Sequence, residues 1–392
     1  MATNNNEMYS TLQDATNQML GSEAIDNIDL QGIIDVAKTW SDFEKEQWAG
    51  KLSSKYIDTK YVDREYTDTR NDVFYEDSAK FGAITQIITM EMPDIIANRS
   101  WTQVTSGVTQ IGQNTVYLPI VDEQLYGGTD SWAVSIAYTG TQLNTAFESQ
   151  SGLLQFDNYV KLIAQNAITY HKATMNGLNR NNYIAGKLNA GNSAGKINYV
   201  NMVAEYQRDH ANSAMTVAEY LSSVNALRYA PKTFKKYKSL LMDMTTLFTT
   251  KTDSKGKFIP SDRFVFQILS DFEGRMLSEV YSDTYHNEFV KLPFYRDVNS
   301  WQALVGADSA DFETLSSIDI TDADGHQVSK SGIIGFMVDK WAIMHTLVQN
   351  RVGYQRDDIK DISMYDYQFT SRYINNLTLN GVVFVLEDYT PA

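Results

Sequence analysis

The 392-residue chain contains no cysteine. That excludes a disulfide scaffold, thiolate metal sites and a cysteine nucleophile, and fits folding in a reducing cytosol. Histidine is scarce: five residues stand at 171, 210, 286, 326 and 345, and no two have the i, i+4 spacing of a helical zinc site. Long apolar runs are missing as well, since stretches such as Ile333 to Val338 fall far short of the roughly 18 residues that a membrane-spanning helix needs. Met1 to Ser10 is polar and carries Glu7, without the basic region and apolar stretch of a secretory signal. A soluble protein that is not exported is expected. A basic excess is lacking too: the formal net charge is -15, which opposes condensation onto phosphate because nucleic-acid affinity comes largely from Lys and Arg displacing counterions.

The remaining composition, with 43% hydrophobic residues, 21% charged residues and 6 Pro, is that of a globular protein and not of a disordered or fibrous one. The length exceeds what one hydrophobic core usually supports, so two or three lobes are expected. Tyrosine is abundant, at 24 residues, and favours extensive interfaces, where a ring is buried while its hydroxyl meets a partner. Charge is uneven: residues 1 to 80 hold 16 acidic against 8 basic side chains, about half of the whole imbalance.

Leu30, Ile33, Ile34, Ala37 and Trp40 recur at helical spacing, and Ser41 with Glu44 forms a capping box for a second helix carrying Trp48, Leu52 and Tyr56. From Ile57 to Asp77 charge and Tyr alternate without an apolar face, which predicts a strap lying on another surface. Residues 82 to 146 turn to Thr, Gln, Gly and β-branched residues; Thr115–Ile120 and Trp132–Tyr138 are expected to form a long β-hairpin through Gly127-Gly128. Val160, Ile163, Ala164, Ala167, Ile168 and Met175 mark a long helix from Asp157 to about Leu178, with Asn179 to Asn198 expected as loop.

A second lobe begins near Met215, where Thr216 and Glu219 form a capping box, Leu221, Val224 and Leu227 a buried face, and Pro231 a stop. A further helix through Phe234, Leu240, Leu241, Met244 and Leu247 follows, then a strand from Arg263 to Leu269 that turns into a helix at a Ser270/Glu273 capping box. Ser316–Thr321 and Gly332–Val338 are expected to pair across Asp324-Gly325, and the tail from Tyr365 to end in a buried strand after Asn380-Gly381.

No motif carries a catalytic mechanism. Neither G-x-S-x-G nor G-x-G-x-x-G occurs. Gly191 to Lys196 is one residue short of a phosphate-binding loop, and Ile197 stands where Ser or Thr must ligate magnesium. Asp322, Asp324 and Gly325 fail as a calcium loop, because Ile320 and Ser331 would fill the first and the bidentate ligand positions. Lys232, Lys235, Lys236 and Lys238 make a basic helix face, read as solvated or as able to meet an acidic neighbour. Its interleaving with Phe234 and Tyr237 is a weak signal for stacking single-stranded bases. Accordingly no catalytic, cofactor-binding or metal-ligating residue is assigned, no cofactor is expected, and the chain is not read as an enzyme.

The order of parts, carried by NTVYLPIVDEQLYGG, then ESQSGLLQFDNYVKLIAQNAITYHKATMNGL, then IIGFMVDKWAIMHTLV with NNLTLNGVVFVLED, resembles the major capsid proteins of tailed double-stranded DNA bacteriophages. The resemblance implies an α+β, HK97-like capsid fold. Its parts would be an N-terminal arm (1–80), a strand and E-loop hairpin region (81–150), a spine helix with peripheral domain (151–214), an axial domain (215–350) and C-terminal strands returning to the core (351–392). It also implies a shell subunit that forms hexamers and pentamers of an icosahedral capsid, located in the virion and assembled in the host cytoplasm. The implied partners are other copies of the chain, a separate scaffolding protein, portal and other head proteins, and packaged dsDNA touched weakly and non-specifically, with no membrane. An encapsulin-like nanocompartment shell and a virion tail or receptor-binding protein are the alternatives.

Overall fold

The computed structural model describes residues 12–17, 30–49, 74–78, 84–90, 121–139, 150–251, 256–283, 295–302, 309–321, 325–357, 359–360 and 362–391. Its helices are α1 (Leu30–Ala37), α2 (Gln150–Ala190), α3 (Met202–Asp209), α4 (Val217–Ser222), α5 (Val224–Met242), α6 (Ser270–Asp283) and α7 (Phe312–Leu315). Its strands are β1 (Tyr75–Ser78), β2 (Ile84–Met90), β3 (Val121–Gly127), β4 (Asp130–Thr139), β5 (Tyr199–Asn201), β6 (Phe264–Leu269), β7 (Arg296–Val298), β8 (Ile318–Thr321), β9 (Gln327–Lys330), β10 (Ile333–Asp339), β11 (Ile343–Asp357), β12 (Ile362–Asn375) and β13 (Gly381–Val385).

The apolar run IIGFMVD becomes β10, and every residue of that strand is buried. An unbroken apolar run suits a strand covered on both faces. It is the middle of a five-stranded sheet ordered β5-β13-β10-β6-β7, antiparallel to β13 and β6, with β5 and β7 parallel to their neighbours. Helix α5 lays Phe234 on this sheet, its ring 5.1 Å from Phe266 and 5.0 Å from Phe384. Trp301 packs 5.9 Å from Phe336 and donates Nε1 to the Ile333 carbonyl at 2.7 Å, so its polar edge is satisfied inside the core.

A second core lies on the sheet β1-β11-β12-β4. Strands β11 and β12 form a long antiparallel pair from Ile343↔Asn375 to Asp357↔Ile362. Period-two alternation along β12 turns Tyr365, Tyr367 and Phe369 inward. Leu12, Ile33, Ile34, Trp40 and Trp48 pack in the same cluster, so the helices of the acidic start close this core. Trp48 Nε1 donates to Thr16 Oγ1 at 2.9 Å, and the Tyr365 hydroxyl donates to the Glu46 carbonyl at 2.8 Å. The Ser41/Glu44 box forms as expected, with Ser41 N donating to Glu44 Oε2 at 2.7 Å and Glu44 N to Ser41 Oγ at 3.4 Å. Leu52, Tyr56 and most of the strap from Ile57 lie outside the described residues.

Helix α2 spans 41 residues, about 60 Å at a rise of 1.5 Å per residue. Ala164 belongs to one core and Tyr183 and Ile184 to the other, so the helix is the strut between them. Among the described residues no helix is long and apolar enough to cross a membrane.

Several local expectations are corrected by tertiary contacts. The long helix does not end near Leu178, and the Asn-rich stretch expected as loop continues it to Ala190. Asn179 Nδ2 donates to the Met344 carbonyl at 3.1 Å, and Arg180 Nη2 and Asn181 Nδ2 donate to Trp301 O at 3.0 and 2.7 Å. Partners supplied by distant strands outweigh weak helix propensity. Pro231 does not stop a helix either. It lies inside α5, and the break falls at Ser223, whose hydroxyl accepts from Ala226 N. Burial of Leu227, Ala230, Phe234 and Leu241 on one face carries the helix through the missing donor.

The Thr216/Glu219 box forms, but Ser270 and Glu273 do not cap each other: Ser270 Oγ donates to Asp297 Oδ2 and Asn299 Oδ1, and Glu273 accepts from the Tyr295 hydroxyl. β8 pairs with β9, not with β10, which the central sheet has captured. The expected hairpin partners differ as well. β3 pairs with β2, whereas β4 pairs with β12, so Gly127-Gly128 leads from one sheet to another. Thr115–Ile120 lies outside the described residues.

Gly332 has φ +80°, and a Cβ there would come 2.3 Å from the Leu386 carbonyl oxygen. Gly332→Ala is therefore expected to lower the unfolding free energy by about 3 kcal/mol, combining left-handed strain with overpacking, as read by urea denaturation. Unchanged stability would contradict this packing.

Candidate assembly surfaces

The pairing of β2 with β3 makes a two-stranded ribbon from Ile84↔Gly127 to Met90↔Val121. Alternation divides its faces. Ile84, Ile88, Val121 and Leu125 are each more than half exposed on one face, beside Gln86, whose Nε2 donates to Glu123 Oε1 at 2.6 Å. The other face is half-buried and polar. There Gln124 Nε2 donates to Thr378 Oγ1 at 3.1 Å, Asp122 pairs with Lys251 at 3.0 Å, and the Arg372 guanidinium bonds Gly128 O and Thr85 Oγ1. Four large aliphatic side chains held outward by a polar underside form a patch of the kind that marks protein contact sites.

Smaller exposed apolar features accompany it. On α2, Tyr170 and Leu178 stand on one exposed stripe with Asn166 and Thr174 at i+4 spacing. Met244 and Phe258 flank the Thr245–Lys257 bridge, and Ile359 is 97% exposed at the turn between β11 and β12.

Two of the four lysines on the basic face of α5 are paired with carboxylates of the same chain. Lys232 pairs with Asp209 at 3.3 Å and Lys236 with Glu205 at 2.9 Å, while Lys238 lies 5.3 Å from the Phe264 ring centroid. The residues of GNSAGKI form a tight turn in which Ser193 and Lys196 exchange backbone hydrogen bonds of 3.2 and 3.0 Å. Lys196 Nζ donates to the carbonyls of Thr246 and Lys251 at 2.9 and 2.7 Å, a structural tie in place of a phosphate contact.

The histidines are spread apart. His171 lies 4.2 Å from the Trp132 ring, His210 Nδ1 lies 2.8 Å from Tyr206 O, and His326 Nδ1 lies 3.2 Å from Asn189 Nδ2. His345 is buried and stacks on Tyr373 at 4.8 Å; burial lowers its pKa to about 4, against the opposing pull of Glu76. His286 lies outside the described residues. Among the described residues no three His, Asp or Glu side chains are placed to hold a metal ion.

Sequence reading missed β2 as the partner of β3 and missed Arg372 altogether. The one local signal was the β-branched alternation of ITQIITM, which marks a strand without naming its neighbour.

The model of a family described as Phi29-like phage major capsid protein matches residues 9–385. Among solved structures, the chain is similar to one in the capsid structure of Staphylococcus phage Andhra, with 9% identity, 80% of this chain and 82% of that chain covered, and a TM-score of 0.50. It is also similar to a chain in the structure of head fiber and inner core protein gp22 of native bacteriophage P68, with 10% identity, 80% and 83% covered, and a TM-score of 0.48. The similarity of fold rests on the first of these. No curated protein matches.

Lys187 in α2 is wholly buried and donates Nζ to the Phe248 carbonyl at 2.9 Å. Burial, and secondarily the charge of Lys196, lowers its pKa from the usual 10.5 to about 7. The unfolded chain thus keeps a proton that the folded chain has released, and stability is fully present above 10.5 and lost as pH falls toward 7. Urea unfolding between these limits is expected to show a gain of about 1.4 kcal/mol per pH unit, absent in Lys187→Met. A wild-type profile parallel to that of the variant would refute the assignment.

Proposed function

The chain belongs to the family of Phi29-like phage major capsid proteins and is a structural protein of the phage head shell, and we propose from this that it assembles as hexamers and pentamers of an icosahedral capsid around packaged dsDNA. The observation that carries the proposal is the ribbon, whose four outward aliphatic side chains have no place in either core of the protomer. Covering them with a second copy removes apolar area from water, and repetition of one such contact around an axis builds a ring.

In this reading residues 1–80 act as the arm, 81–150 as the E-loop region, 151–214 as spine helix and peripheral domain, 215–350 as axial domain, and 351–392 as strands returning to the core. A separate scaffolding protein guides assembly in the host cytoplasm, a portal and other head proteins complete the shell, and the DNA is held weakly and non-specifically, as suits a chain of net charge -15. The family match over residues 9–385 favours this role over an encapsulin-like compartment and over a tail or receptor-binding protein.

Ile88→Lys with Leu125→Asp tests it. Both sites are exposed in the protomer and the new lysine faces Glu123 across the ribbon, so its unfolding free energy should change by no more than about 1 kcal/mol, while shells seen by negative-stain electron microscopy for the wild type should disappear. Normal shells from the double variant would remove the ribbon from the assembly contact.

A further inference from the structure

The ribbon leaves the body at a corner. Only Gly128 and Thr129 separate β3, in the ribbon, from β4, in the four-stranded sheet. Gly128 has φ +89°, and a Cβ built on it would meet nothing within 4 Å. Backbone conformation and not crowding therefore requires glycine there, and the space beside Gly128 is open.

One side chain spans both strands at this root. Arg372 is 3% exposed on β12; its Nε donates to Gly128 O at 2.9 Å and its Nη1 to Thr85 Oγ1 at 2.5 Å. Thr85 pairs with Tyr126, so the fork grips the start of β2 and the corner just after β3 together. A planar guanidinium with two bonds in fixed directions constrains angle as well as distance, which a lysine in the same place would not do. Two further ties, Gln124 to Thr378 and Asp122 to Lys251, are part-buried like the arginine's own bonds, but both hold β3 alone and lie further along the underside, so neither spans the two strands at the root.

We propose that Arg372 is the positioning residue of the ribbon: it fixes the angle at which the ribbon leaves the sheet, and so which surface of a second copy Ile84, Ile88, Val121 and Leu125 meet. This rests on the reading of the ribbon as an assembly contact, but its first test needs no assembly.

Amide hydrogen exchange of unassembled full-length protein is compared for wild type, Thr85→Val, Thr85→Ser and Arg372→Met. Thr85→Val and Arg372→Met should each speed exchange in residues 84–90 and 121–127 by about tenfold, with β10 and β13 unchanged, and Thr85→Ser should keep wild-type protection. Should Arg372→Met fail to fold, Thr85→Val decides alone, since it removes one bond at a half-buried site. Under conditions in which the wild type forms closed shells, the two loosened variants should give open or irregular particles. Ribbon exchange within twofold of wild type in Thr85→Val, together with regular shells, would overturn the proposal. A wild type that never forms shells, even with its scaffolding protein present, while its ribbon exchange still responds to Thr85→Val would uphold Arg372 as the lock and overturn the reading of the ribbon as an assembly contact instead.

Discussion

Two elements, helix α2 and strand β11, run from one core into the other, and the helix is anchored at both of its parts. Through Ala164 and Ile168 helix α2 contributes apolar contacts to the core under β12. Through Asn179, Arg180, Asn181 and Lys187 it donates to carbonyls of β11, of the segment after β7 and of the loop after α5. Each of these side chains is buried, and leaving a buried donor unsatisfied costs about 1–3 kcal/mol, more when charged. The helix can therefore neither slide nor rotate by one residue without stranding several polar groups at once. Apolar packing supplies attraction at both parts, and hydrogen-bond geometry adds register at the second.

This division of labour recurs in the ribbon. Its outer face exposes four aliphatic side chains around the Gln86–Glu123 pair, whereas its inner face is tied down by Asp122, Gln124 and Thr85. Non-directional attraction faces outward to a second copy, and directional polar contacts face inward to set orientation. A shell built from one chain needs both: strength that tolerates small differences between neighbours, and a lever whose direction is set. The acidic start follows the same economy. Its helices present Ile33, Ile34, Trp40 and Trp48 to the second core and expose Asp35, Lys38, Asp42 and Glu44, while Glu46 is buried and paired with Arg356.

Much of this was legible locally. The helical stripe of Leu30 to Trp40, the capping boxes at Ser41 and Thr216, the central burial of Ile333 to Val338 and the final strand after Gly381 all follow from periodicity, capping chemistry or an unbroken apolar run. So did the order of parts that resembles the phage capsid family. The candidate contact surface was only half visible: VDEQLYG stood in a quoted stretch, yet its partner strand and the arginine at its root did not stand out.

What the sequence by itself determined was thus the set of elements, because helix stripes, caps and apolar strands are written within a few residues of one another. What only the tertiary structure decided was who pairs with whom. β3 chose β2 over β4, β10 chose β13 and β6 over β8, Ser270 chose Asp297 over Glu273, and Asn179 to Lys187 became helix because strands far along the chain offered carbonyls. The physical reason is common to all four. A local pattern fixes what an element can bury or bond, whereas the partner that satisfies it is selected by competition among groups distant in sequence, and that competition is resolved only when the chain closes on itself.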